Sequence, residues 1–392
     1  MKKSLSAAFM LAGTAIGSGM ISLPIVLSRM GILPALGLIG ACAVVTYFSA
    51  LVRAELNLQS HCAFTLEDVG LKFSGKIAAL IGNVSLKLLQ FSLLSAYIFG
   101  LNSLLSEKGV CSKGVVSTSI LILLAFSSDK IINLNHKLFI LLLTAIFISI
   151  FGMVLNTGFR LPSEESHPFL LSKIGIILPT LFTSFGFQGS LHSLTKFCNN
   201  DAKMIKTACF WGSLIPAITY TAWTLSVISL VFIAQPDLFY KMATDGIEIH
   251  ELIEAICNVS GVESVKIITF IISVLAIVTS VVGVGIALAE DLERGFERAQ
   301  MRLDKGFRRG VASIIAVLPA TFVATVVPSA FVKVLSFAGM VLAVIAIFLP
   351  CFLFLKIKKA PKFNLLKRPS LIWFIIAFGV FVVLCELISL FD

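Results

Sequence analysis

Ala12-Gly13-Thr14-Ala15-Ile16-Gly17-Ser18-Gly19-Met20 interrupts the first apolar run of the chain, and Thr183-Ser184-Phe185-Gly186-Phe187-Gln188-Gly189-Ser190 interrupts a later one. Three glycines within seven residues, Gly13, Gly17 and Gly19, weaken a helix by roughly 1 kcal/mol each relative to alanine. In a bilayer, broken backbone is tolerated only where protein or a water-filled cavity satisfies its polar groups. The two stretches share a pattern, Thr14-x-x-Gly17-x-Gly19 against Thr183-x-x-Gly186-x-x-Gly189. Either alone also fits close helix packing, since Gly13-x-x-x-Gly17 is a small-residue spacing. Their matched placement, in the first and sixth apolar segments, favours broken helices entering the membrane from opposite faces. That is the pattern of an inverted-repeat transporter, whose substrate sits between the two breaks.

The rest of the chain agrees with a membrane setting. Of 392 residues, 58% are hydrophobic and 13% charged, with mean hydropathy +1.01. Average globular domains hold roughly 25% charged residues, so a soluble enzyme is excluded, and so is a disordered chain. The start resembles a secretory signal, with Lys2 and Lys3 before an apolar run, but the run reaches about Val26 with no A-x-A cleavage site. It reads as an uncleaved first span. Further apolar segments occupy roughly 32–56, 77–105, 114–127, 138–156, 172–193, 207–234, 264–289, 310–327, 330–355 and 370–391, giving about eleven spans of crossing length. The eight cysteines form no C-x-x-C pair, so neither a zinc site nor a disulfide framework is signalled.

With the N-terminus in the cytoplasm, 22 of the 31 basic residues fall on that side and 8 on the other, with Lys87 inside a span. This asymmetry predicts a cytoplasmic N-terminus, an odd span number and Asp392 outside. The outer connection from about Gln235 to Glu263 is acidic instead. Lys356 to Arg368 reads as a topology anchor at anionic lipid.

Ala12 through Pro24 resembles the first-span motif of the hydroxy and aromatic amino acid permeases. Phe185-Gly186-Phe187-Gln188-Gly189-Ser190 resembles their sixth-span motif, closest to the tyrosine-specific branch, and Ile277 through Val284 is similar to their eighth span. The resemblance covers nearly the whole chain. Two positions depart from it: Gln188 stands where the tyrosine branch usually has histidine, and Lys87 where an apolar residue is expected. The resemblance implies an all-α polytopic protein of the LeuT type, with five plus five inverted spans, broken helices one and six, and one added span. The repeats would occupy 1–156 and 157–356, with the added span in 357–392. It also implies a bacterial inner membrane and proton symport.

A zwitterionic substrate buried at mid-membrane needs both charges paired. The second half of span one begins with free N–H groups at a positive helix end, so Gly17, Ser18, Gly19 and Met20 are expected to hold the carboxylate. The carbonyls of Ala12, Gly13 and Thr14, with Phe185, are expected to hold the ammonium, and glycine permits the close approach. Phe185, Phe187, Gln188 and Gly189 then line the side-chain pocket. Two roles stay open for Gln188, a bond to a tyrosine hydroxyl or indole N–H, or a bond between helices. Span three adds a stripe on one face, Asn83, Lys87, Gln90, Leu94 and Tyr97. Gln90 and Tyr97 read as cavity wall and Lys87 as either an ion-coupling group or a lysine snorkelling to the cytoplasmic face. Thr279 and Ser280 of span eight suit a sodium ion or bond their own helix carbonyls. Glu55 reads as a proton carrier or as the partner of Arg53 in an interfacial salt bridge.

The expected function is secondary transport of an aromatic amino acid, tyrosine first and tryptophan second. No cofactor is expected; the coupling ion is a proton by preference, with sodium as the alternative. The expected partners are the small-molecule amino acid and the lipid bilayer, with no nucleic acid and no obligate protein partner. The rivals are a sodium-coupled neutral amino acid symporter and a polytopic transferase for lipid-linked substrates. The latter needs acidic metal-binding clusters, for which Glu290-Asp291 is the one adjacent acidic pair at a span end. A channel would show polar pore rings, and no P-loop signals ATP-driven pumping.

Overall fold

A computed structural model describes residues 2–17, 19–60, 65–106, 113–125, 145, 148, 152, 158–162, 173–259, 263–300, 304–327, 330–357 and 359–391. The described residues form helices: α1 (Lys2–Ala15), α2 (Gly19–Leu27), α3 (Ile32–Ser60), α4 (Leu66–Ser74), α5 (Lys76–Ser106) and α6 (Lys113–Ala125). They continue with α7 (Ile174–Ser184), α8 (Leu191–Phe197), α9 (Ala202–Ala234), α10 (Pro236–Thr244), α11 (Ile249–Val259) and α12 (Glu263–Arg298). The last are α13 (Lys305–Val326), α14 (Ala330–Ala343), α15 (Leu349–Leu355) and α16 (Pro369–Phe391).

Among the described residues, eight helices or continuous helix pairs are long and apolar enough to cross a bilayer, and the bent pair α1–α2 makes a ninth. They fall on the apolar runs of the sequence. The run at 114–127 appears as α6, short of a full span. The run at 138–156 lies almost wholly outside the described residues. Two features were not legible: the acidic connection after α9 is folded into α10 and α11, and a π-helical turn (Val344–Phe348) joins α14 to α15.

The core lies where α1, α2 and α7 meet α5, α9 and α14. Two contacts show how closely the helices approach. A Cβ at Gly339 of α14 would lie 2.2 Å from the Pro179 carbonyl oxygen of α7, so only glycine fits there. Beside it, the Thr183 hydroxyl lies 2.9 Å from the Pro179 carbonyl and 2.8 Å from the Leu335 carbonyl. On one side of the molecule, α10 and α11 pack over α2 and α9. Arg29 donates to the Asp245 carbonyl at 3.4 Å, beneath the left-handed turn at Gly246, where a side chain would strike the guanidinium. Lys173 donates to the Ala243 and Thr244 carbonyls at 3.1 and 2.8 Å. The opposite, basic side is laced by ion pairs: Arg298 with Glu67, Arg294 with Asp291, Arg309 with Glu293 and Arg308 with Glu297.

Candidate functional site

Both interrupted segments are broken in the structure. α1 stops at Ala15 and α2 restarts at Gly19, bent by 61°. α7 stops at Ser184, an irregular stretch follows, and a 3-10 turn (Gln188–Ser190) leads into α8. The glycines are there for close approach. A Cβ at Gly17 would lie 2.4 Å from the Ser280 hydroxyl oxygen, and one at Gly19 would lie 2.8 Å from the Ser184 hydroxyl and 3.2 Å from its Cα. The first break is therefore pressed against α12 on one side and against the end of α7 on the other.

The two breaks are also tied by hydrogen bonds. Thr14 and Ser190 hydroxyls lie 3.0 Å apart, joining α1 to the 3-10 turn. The Tyr220 hydroxyl of α9 lies 2.8 Å from the Ala15 carbonyl and 2.6 Å from the Ser184 carbonyl, the last residues of α1 and α7. Sequence reading missed Tyr220. The signal was present, because the chain has only four tyrosines and this one lies within the apolar run at 207–234.

The expected site residues divide into two groups. Gly13 is half-buried, and Thr14 and Gly189 are exposed, with open space around the Gly189 Cα. Ala12, Gly17, Gly19 and Met20 are buried beside them, and Ser18 lies outside the described residues. The Ala12 carbonyl already accepts the Ile16 N–H at 2.8 Å, the Gly17 carbonyl accepts the Met20 N–H at 3.2 Å, and the Phe185 carbonyl accepts the Phe187 N–H at 2.9 Å. Phe185 and Phe187 are fully buried, and the Phe185 ring meets the Tyr220 ring edge-on at 5.1 Å. Gln188 turns toward α3, donating to the Ser49 hydroxyl at 2.9 Å, and its buried Oε1 has no partner among the described residues.

The polar stripe of α5 is split. Asn83 donates to Glu67 at 2.6 Å, and Gln90 donates to Asp291 at 3.0 Å. The Lys87 ammonium lies beside Gly295. These three belong to the ion-paired basic side, where Asp291 lies within electrostatic range of His192 beside the second break. Tyr97, two turns further on, is buried within electrostatic range of Tyr220.

Thr279 and Ser280 both donate to the Ala276 carbonyl of their own helix, at 3.1 and 2.9 Å. Glu55 makes no ion pair with Arg53 among the described residues, contrary to the expected salt bridge. The reason is helical geometry: residues two apart point to opposite faces. The buried Glu55 carboxylate accepts the Lys362 and Phe363 N–H groups at 3.0 and 3.1 Å and Gln59 at 2.7 Å, pinning the connection before α16. A second carboxyl, Glu386 of α16, is buried against the Ser336 hydroxyl of α14. It too was overlooked, although an acid inside the final apolar run is itself a signal.

Residues 1–386 match the profile of the tryptophan/tyrosine permease family. The chain is 28% identical to the tyrosine-specific transport system 1 of Haemophilus influenzae, covering 92% of this chain and 90% of that one. It is 27% identical to glutamine transporter 2 of Aliivibrio fischeri, covering 91% and 90%. In fold it matches the crystal structure of a mutant of the Eremococcus coleocola manganese transporter, with TM-score 0.63 over 98% of this chain and 85% of that one, at 13% identity.

Proposed function

This chain belongs to the tryptophan/tyrosine permease family, and from that premise we propose that it imports an aromatic amino acid, tyrosine first and tryptophan next, by proton symport. The observation that carries the proposal is the junction of the two broken helices. α1 and α7 present carbonyl ends there, and α2 begins there with its N–H groups, so opposite partial charges stand side by side. A zwitterion has the matching pair of charges, and a junction of this kind binds it without a full protein charge.

The positive-inside asymmetry supports an N-terminus in the cytoplasm and Asp392 outside the bacterial inner membrane. In that frame α10 and α11 close the outer side. The exposed Thr14 and Gly189, with half-buried Ser190 and His192, open toward the cytoplasm. The conformation is then inward-facing, and transport alternates it with an outward-facing one by movement of the half-helices. The repeat boundaries near 156 and 356 fit this arrangement.

The proton is supported by carboxyl groups buried in the helix bundle, Glu386 above all, which has no cationic partner among the described residues. Sodium is the second reading, favoured by the contact of the Ser280 hydroxyl with Gly17 at the first break, since a hydroxyl that donates to a carbonyl still offers lone pairs.

Competition with labelled tyrosine uptake in proteoliposomes tests the substrate. Tryptophan and phenylalanine are expected to compete, and glutamine, named for one relative, is expected not to. Strong competition by glutamine with none by tryptophan would replace the aromatic reading.

A further inference from the structure

Tyr220 sits where two helix ends converge. Ala15 and Ser184 are the last residues of α1 and α7, so each carbonyl lacks the N–H it would meet in a continuous helix. Both carbonyls point at one phenol oxygen, 2.8 and 2.6 Å away. A phenol has one proton, so two acceptors share a single donor. Tyr220 is fully buried, as are Ala15 and Ser184, which puts this shortfall in a place that water does not reach freely. The Phe185 ring, edge-on at 86°, braces the Tyr220 ring from α7's own break. Three and four residues further along the same face of α9, the Trp223 indole N–H and the Thr224 hydroxyl are buried without partners among the described residues. This face of α9 thus brings polar groups to the bundle interior that the protein leaves partly unsatisfied, and unsatisfied buried groups are costly unless something else engages them.

We propose that Tyr220 is a positioning residue for substrate recognition: its hydroxyl proton holds the Ala15 and Ser184 carbonyls together and marks the place where the substrate ammonium docks. The proposal rests on the reading of the breaks as the substrate site. An ammonium brings three donors to a junction that has one. It satisfies both carbonyls while the phenol oxygen accepts from it or swings aside. Without the hydroxyl, the two carbonyl dipoles repel each other across the junction, and the spacing that suits an ammonium is lost. Carboxylate binding at the start of α2 does not involve Tyr220, so the loss falls on the amino group alone.

The test compares binding of tyrosine with binding of its deaminated analogue, hydroxyphenylpropionate, to the purified full chain, alongside uptake of labelled tyrosine. Tyr220→Phe is expected to raise KM for tyrosine about tenfold or more, with kcat little changed, and to shrink the preference for tyrosine over the analogue by a similar factor. Equal weakening of both ligands is what a purely structural tyrosine gives, and it would overturn the proposal. If Tyr220→Phe does not fold, p-aminophenylalanine at position 220 supplies two N–H donors for the two carbonyls. That chain is expected to keep the preference for tyrosine, and loss of the preference would overturn the proposal. Failure of the unmodified chain to bind or transport tyrosine at all would instead remove the substrate-site reading beneath it.

Discussion

An added Cβ at Gly17 would lie 2.4 Å from the Ser280 hydroxyl oxygen but 3.7 Å from the Ser280 Cβ, so the obstacle is a single hydroxyl. Gly17→Ala is expected to force that hydroxyl off the Ala276 carbonyl and to cut uptake about tenfold, the effect of roughly one buried hydrogen bond. Adding Ser280→Ala to the same chain leaves only an ordinary contact, so protein yield and melting temperature are expected to recover. Double-mutant melting that is no better than the single would show that the glycine serves backbone conformation instead. Gly189 is the opposite case, with nothing within 4 Å of its would-be Cβ. Gly189→Ala is expected to leave folding unchanged. Gln188 donates one of its two N–H groups to Ser49, and its buried Oε1 has no partner among the described residues. Gln188→Leu is expected to lower tyrosine uptake relative to phenylalanine by about tenfold, since only tyrosine brings a hydroxyl to donate. An unchanged ratio in competition assays would take Gln188 out of the side-chain pocket.

At the scale of the helix, α5 turns its Asn83, Lys87 and Gln90 toward α4 and the basic end of α12. Glu67 of α4 is the hub, accepting from Asn83 and paired with Arg298. Burial works to raise its carboxyl, but the hydrogen bonds from Arg298 and Asn83 outweigh it and hold the group below the ordinary carboxylate range. A depressed value in the folded state means that the contribution is complete at neutral pH. It is lost as the pH falls through that depressed value. Acidification is therefore expected to lower the melting temperature of the detergent-solubilised protein more steeply than that of Glu67→Gln. Parallel curves for the two would place the acid sensitivity elsewhere. What could be read from sequence follows the same physics. Glycines at the breaks were legible because their backbone effect is local. The fate of the α5 stripe was not, because spacing fixes which residues share a face and not which neighbour that face meets. Glu55 looked like a partner for Arg53 by proximity in sequence, but two of its three partners, the Lys362 and Phe363 N–H groups, lie some three hundred residues away. Tyr220 was visible as a tyrosine inside an apolar run, but its role exists only once three helices converge.

For the whole molecule, the all-helical membrane fold expected from the apolar runs and paired breaks is shown, with eight or nine of the eleven expected spans among the described residues. Composition alone excluded a soluble enzyme, since 13% charge cannot cover a water-facing surface. In the proposed orientation, α10 and α11 cover one side of the molecule, and the exposed residues at the breaks lie toward the other. In the proposed symport the buried carboxyls are the candidates for a proton, and Thr279 and Ser280 are the candidates for sodium. The central claim is proton-driven import of an aromatic amino acid, and the most direct test is labelled tyrosine uptake into proteoliposomes under an imposed pH gradient without sodium. Proton symport predicts accumulation above the outside concentration, collapsing when a protonophore is added and unaffected by a sodium gradient. Accumulation that requires sodium and ignores the pH gradient would contradict it and make Thr279 and Ser280 the ion site.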